Sequence, residues 1–208
     1  MDIQTVHLFL PHGMADWEPG YAVAGIQDPD YQMNPGRYQV RTVGPTADPV
    51  TTMGGIRILP DLPLSELRPE DSAMLILPGA SSWEGGAHGD AAELAGEFLA
   101  AGVPVAAICG ATAGLAREGL LNRRPHTSND PDFLRSIPGY NGVEHYVATP
   151  SLLAGDLITA TGIAPVDFAR DIFQRLELYP APVLAAWYTL QTTGDPSAFA
   201  ALEGGGEG

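Results

Sequence analysis

The chain has 208 residues, of which 45% are hydrophobic and 17% charged, the balance of a soluble globular protein with one sizeable core. Its formal net charge is −15, and all 10 basic residues are Arg, so a polyanion such as nucleic acid is repelled. No apolar stretch is long enough for a membrane helix, no positive n-region precedes "VHLFLP", and the one cysteine cannot form an internal disulfide, so the expected compartment is the cytoplasm.

"TVHLFLPHG" reads as a buried strand ending in a glycine turn, and "DWEPGYAVAGI" as a helix with Pro19 near its first turn. "YQVRTVG" alternates like a strand, and "PVTTMGGIRILPD" suggests a short strand pair around Gly54 and Gly55. "SAMLILPGA" is a continuous apolar run closed by Pro-Gly, the pattern of a central parallel strand. A helix follows in "DAAELAGEFLAAG", then a buried strand in "VPVAAIC" and a helix in "GATAGLAREGLL". "GDLITATG" is a late strand, "APVDFARDIFQRLEL" an amphipathic helix, and further helix runs from Pro182 to Thr192. This alternation predicts an α/β fold, a mostly parallel sheet with helices on both faces, as one domain over residues 1–203. The glycine-rich end, 204–208, reads as a disordered tail.

Cys109 falls where a buried strand turns into a helix. In an open α/β sheet ligands bind beyond the carboxyl ends of the strands, and a sharp strand-to-helix turn exposes a nucleophile there. Such a turn favours small neighbours, here Ala107, Gly110 and Ala111. The helix N-terminus should favour thiolate and lower the thiol pKa. A lone cysteine serving as a small buried hydrophobe is the alternative. Asp16 and Glu18 lie just past the first strand, and the amides of Ala80 and Gly110 are the natural pair to hold an oxyanion. Helix N-terminal charge complementarity would by itself explain either carboxylate. His126, in the polar loop "RRPHTSND", is a candidate base that can swing over the thiol; His145 reads as a surface residue and His7 as structural. The five histidines and one cysteine show no metal-ligand spacing, so neither metal nor cofactor is expected. Trp17 and Trp83 are candidates to line a pocket, with core packing as the alternative.

Taken together, "AAICGATAGLA", "PGASSW", "GMADWE" and "GDLITATGIAPVDFAR" resemble the ThiJ/PfpI superfamily, of the class I glutamine-amidotransferase-like fold. The resemblance implies a flavodoxin-like three-layer sandwich and a catalytic Cys109. It also selects Glu18 over Asp16 as the acid beside the sulfur, gives the oxyanion pocket to the Ala80 and Gly110 amides, and matches His126 to a histidine found near the cysteine in some members. Implied activities are those of a cysteine hydrolase, deglycase or glyoxalase-like enzyme on a small carbonyl or acyl substrate. The alternative is a stress protein that senses oxidants through Cys109. PfpI-type proteases carry a histidine directly after the cysteine, where this chain has Gly110, which argues against that peptidase chemistry. A homodimer is expected, with "PVLAAWYTLQ" as a candidate interface helix, and a small molecule rather than nucleic acid or membrane as the partner.

Overall fold

A computed structural model of the chain describes residues 2–204. The chain runs through β1 (Gln4–Phe9), α1 (Trp17–Gln27), β2 (Tyr38–Gly44), β3 (Val50–Thr51), β4 (Arg57–Ile58) and β5 (Leu62–Pro63). It continues with β6 (Met74–Leu77), α2 (Gly89–Ala100), β7 (Val105–Ile108), α3 (Ala111–Arg117) and α4 (Pro131–Arg135). The last elements are β8 (Ser151–Ala154), β9 (Leu157–Ala160), α5 (Pro165–Leu176), α6 (Ala181–Thr193) and α7 (Ala198–Gly204). Seven strands form one sheet in the order β5-β2-β1-β6-β7-β9-β8, and every pairing is parallel except β8 with β9. The pair β3–β4 forms a separate antiparallel hairpin, as its two glycines suggest.

The central strands bury both faces, which is why they read as unbroken apolar runs. Side chains alternate between two cores. Val6, Ile76, Ala106 and Ile108 join Phe168, Ile172 and Phe173 of α5, together with Ala22 and Ile26 of α1. Leu75, Leu77, Val105 and Ala107 face the other way and join Phe98 of α2 and Leu115 of α3. The three layers follow from this division, and the fold expected from the sequence is the one observed.

Several local readings change. The helix after Cys109 stops at Arg117, where Gly119 takes a positive φ of 70° and breaks it. Strand β8 was not expected; it returns antiparallel through a turn at Gly155, where φ is +66°. Of the expected tail, Gly204 ends α7, and residues 205–208 lie outside the described residues. Helix α6, the candidate interface, already buries Val183 and Ala186 against its own chain.

Trp83 corrects a further expectation. It is fully buried, donates its indole N–H to the Pro78 carbonyl at 3.0 Å, and stacks edge-on with Phe9 and His88. It is therefore a core residue and not part of a pocket wall. A Cβ at Gly114 of α3 would lie 2.5 Å from the Trp83 ring, which has no room to move. Alanine normally favours a helix over glycine. Here overpacking should win, so Gly114→Ala is expected to lose about 1–3 kcal/mol of stability, read as a lower urea midpoint at unchanged slope. A stabilised variant would contradict this packing.

Candidate active site

Cys109 sits between the end of β7 and the start of α3. Its amide continues the parallel ladder by donating to the Ala160 carbonyl at 3.0 Å. Its own carbonyl accepts from the Thr112 amide at 3.1 Å and the Thr112 hydroxyl at 2.6 Å. These bonds hold Cys109 at φ +58°, in the left-handed region that non-glycine residues occupy only at a cost of about 1–3 kcal/mol. The result is a sharp elbow that lifts the thiol out of the sheet, leaving it partly exposed.

Glu18 reaches the same place from the first turn of α1, beyond the end of β1, which lies one strand away from β7 across β6. Its carboxyl is fully buried, and Oε2 accepts from the Gly79 amide at 2.5 Å. Its other oxygen, Oε1, is buried with no hydrogen-bond partner among the described residues. Two glycines make room for the contact. A Cβ at Gly79 would lie 2.8 Å from both Cys109 Cβ and Glu18 Oε2, and one at Gly162 would lie 2.7 Å from the Cys109 sulfur. No larger residue fits at either point.

Burial, opposed by the Gly79 amide and the contact with Cys109, pushes the Glu18 carboxyl up to about 7. Burial and then the Glu18 charge push the thiol up to about 11, against the hydrogen bonds from Asn129 and the Gly110 amide. The lowered thiol expected from the helix N-terminus is thus overturned: α3 is 7 residues long, and desolvation beside a carboxylate outweighs its dipole. The two groups titrate as a pair, whose first ionisation leaves a single negative charge to be placed on oxygen or on sulfur.

The remaining expected residues are arranged as follows. The backbones of Ala80 and Gly110 abut, since a Cβ at Gly110 would lie 2.7 Å from the Ala80 carbonyl oxygen and 3.5 Å from the Ala80 nitrogen. Neither amide has a backbone or side-chain oxygen as acceptor among the described residues. Trp17 is half exposed and donates its indole N–H to the Gly162 carbonyl at 3.0 Å, which sets it on the rim beside the sulfur. Asp16 does not face the thiol; it accepts from the Gly54 amide at 2.7 Å and pins the β3–β4 hairpin to α1.

His126 corrects the reading of an exposed, swinging loop. It is fully buried, with Nδ1 against the Arg124 carbonyl at 2.8 Å and Nε2 against the Tyr140 hydroxyl at 2.8 Å. Burial holds its pKa below the ordinary value, so the ring is neutral with both nitrogens engaged. Among the described residues it makes no hydrogen bond to Cys109. The polar partner from that loop is Asn129, three residues on, which the sequence reading missed. Asn129 donates to the Cys109 sulfur at 3.3 Å while its Oδ1 accepts from the Gly162 amide at 2.8 Å. Its sequence signal, one asparagine in the polar run "HTSND", is weak.

The DJ-1/PfpI family model matches residues 4–175. The chain belongs to the DJ-1/PfpI family. It is 38% identical to the Bacillus subtilis (strain 168) protein named "Uncharacterized protease YoaZ", over 96% of each chain. Among solved structures it resembles a thiJ/pfpI family protein from Bacillus anthracis, with 37% identity, a TM-score of 0.92 and 99% of each chain covered. It also resembles the DJ-1 superfamily protein Atu0886 from Agrobacterium tumefaciens, with 31% identity and a TM-score of 0.82 over 93% of this chain and 100% of that one.

Glu18→Gln tests the buried carboxyl. The folded-state pKa of about 7 lies above the ordinary 4.5, so this group's contribution to stability is fully present below 4.5 and is lost as pH rises through 7. A shift of this size corresponds to about 3 kcal/mol. Glutamine keeps the shape without the charge, so it should stabilise the fold by about 1–3 kcal/mol at pH 8 and change little at pH 4. Equal stability of both proteins at pH 8 would contradict the burial of an ionisable group. His126→Ala should lower stability by about 2–3 kcal/mol, because it leaves a cavity and strands the Tyr140 hydroxyl. An unchanged melting temperature would show the histidine to be free.

Proposed function

We propose that the protein is a cysteine-dependent enzyme acting on a small carbonyl or acyl substrate. The observation that carries this reading is the buried Glu18 carboxyl, with one oxygen unpartnered, against a thiol held on a left-handed elbow. Core packing needs neither the strain nor the buried acid. Both features suit a nucleophile with a proton acceptor beside it.

For an aldehyde, the thiol proton passes to Glu18 and the sulfur attacks the carbonyl carbon. The C–S bond forms as the C=O π pair moves to oxygen. The Ala80 amide, which has no acceptor among the described residues, and the Gly110 amide, which faces the sulfur, suit the developing oxyanion. Glu18 then returns the proton to that oxygen, completing a hemithioacetal. For a 2-oxoaldehyde, the Glu18 carboxylate can next move a proton from the hemithioacetal carbon to the neighbouring one, while the hemithioacetal hydroxyl proton passes to the former ketone oxygen, giving a thioester. Water cleaves the resulting thioester to a 2-hydroxy acid and regenerates the thiol. In this reading Asn129 orients the sulfur, and neither His126 nor a metal or other cofactor takes part.

The name of the Bacillus subtilis relative contains the word protease. Here the position after the thiol is Gly110, which has no side chain to serve as a base, and His126 is engaged elsewhere. Peptide hydrolysis is therefore not the activity proposed. A second reading, oxidant sensing, is favoured by the partly exposed sulfur beside a carboxyl able to hold a proton. Peroxide would oxidise Cys109 in two steps to a sulfinate, releasing one water each time.

The test is methylglyoxal consumption by the wild type beside Cys109→Ser and Glu18→Gln, with a fluorogenic peptide in parallel. Aldehyde turnover lost in Cys109→Ser and reduced about a hundredfold or more in Glu18→Gln is the expected result. Peptide turnover that depends on Cys109 would overturn the proposal. A stable Cys109 sulfinate after mild peroxide, with no turnover of any carbonyl, would establish the second reading instead.

A further inference from the structure

A second concave site lies where α1 passes α6 and α7. The groove encloses about 320 Å³, the lower end of the range of small-molecule sites. Its walls are aromatic: Tyr21 from α1, Trp187 from α6, Tyr179 from the turn before it, and Phe199 from α7. Tyr21, Trp187 and Tyr179 are held in one cluster through Phe173 of α5. Trp187 meets Tyr21 edge-on at 6.2 Å and Phe173 at 5.0 Å, and Phe173 meets Tyr179 at 5.1 Å. The Tyr179 hydroxyl donates to the Gly25 carbonyl at 3.2 Å, which directs that oxygen toward α1. A fifth ring, Tyr31, also lines the groove from a residue held at φ +63°.

The charged side chains lining the groove are Asp28 and Asp30, and no Arg or His is among them. Asp28 closes the C-terminus of α1 by donating its backbone N–H to the Ala24 carbonyl at 2.9 Å. The negative end of the α1 dipole therefore lies at the same point. Burial, and then the charges of Asp28 and Asp30, push the Tyr179 hydroxyl up to about 12, so both carboxylates act on the groove's interior. Aromatic faces, two carboxylates and a helix C-terminus all attract positive charge. An anion is excluded on the same grounds. A bare metal ion would leave the rings without a role, whereas a cation with an apolar envelope uses every feature.

We propose that this groove binds a small organic cation of the quaternary or alkylated ammonium class, with the cationic head against the aromatic rings and its charge balanced by Asp28 and Asp30. Recognition of this kind combines cation–π attraction with carboxylate pairing. The proposal goes beyond the reaction at Cys109 and does not depend on it. No residue lining the groove hydrogen-bonds Cys109 or Glu18 among the described residues.

The experiment is calorimetric titration of the full chain with choline, and in parallel with 3,3-dimethyl-1-butanol, which replaces the charged nitrogen by carbon at the same shape. Saturable choline binding is expected, with the neutral alcohol weaker by about tenfold or more. Asp28 and Asp30 are exposed, so the double variant Asp28→Asn/Asp30→Asn should keep its melting temperature. It should lose at least about fivefold in choline affinity and none for the alcohol. Phe199→Ala, also at an exposed position, should weaken choline binding through loss of a ring. Absence of saturable choline binding, or equal affinity for choline and the alcohol, would overturn the proposal.

Discussion

A buried carboxyl and a partly exposed thiol sit side by side, with too little solvent to carry two charges. That constraint organises the structure around Cys109. Glu18 and Cys109 come from the ends of different strands, and they meet because β1, β6 and β7 are neighbours in the sheet. From β1 the chain crosses to β2 on one side, and from β6 it crosses to β7 on the other, so the strand order reverses between β1 and β6. The crevice at such a reversal is where an open α/β sheet accepts a ligand. Gly79 and Gly162 are glycine because the carboxyl and sulfur fill the space a side chain would take. The Gly79 amide and Asn129 supply the hydrogen bonds that the burial demands.

The site is costly to the fold in two places. Cys109 is held in a left-handed conformation, and Glu18 carries a pKa raised by burial. Each opposes folding by an amount of order 1–3 kcal/mol, a substantial share of a typical domain's net stability. The surrounding core offsets both. Strands β6 and β7 are buried on both faces, and the elbow is clamped through Ala160 and Thr112. Strain concentrated where a reactive side chain is displayed, on strands that do not yield, is the arrangement expected of a catalytic or sensing site.

Much of this was legible in the sequence. Buried parallel strands announce themselves as apolar runs such as "MLIL" and "VAAI", and the small residues around Cys109 mark an elbow. Edge elements were harder. Strand β8 has a half-buried pattern, and α7 has no basic or acidic cap to signal it. Side-chain environment was least legible of all. A polar loop sequence hid the burial of His126, because one of its two partners, the Tyr140 hydroxyl, comes from outside the local segment while the other is the neighbouring Arg124 carbonyl. Trp83 looked equally fit for pocket or core, and only the packing of Phe9 and His88 around it decides for the core. The direction of the thiol shift also escaped. A helix N-terminus is visible in sequence, whereas the burial of the thiol and the Glu18 charge beside it are properties of the assembled crevice.

The central claim is that Glu18 and Cys109 share one ionisation. The most direct measurement is the rate of Cys109 alkylation by iodoacetamide across pH 5 to 10 in the wild type and in Glu18→Gln. In the wild type the first charge, gained near 7, resides on Glu18, so alkylation should stay slow through the free-thiol range and rise only toward about 11. Glu18→Gln removes that charge and should move the alkylation profile to lower pH. A wild-type profile with one midpoint at the free-thiol value of about 8.5, unchanged by Glu18→Gln, would contradict the account.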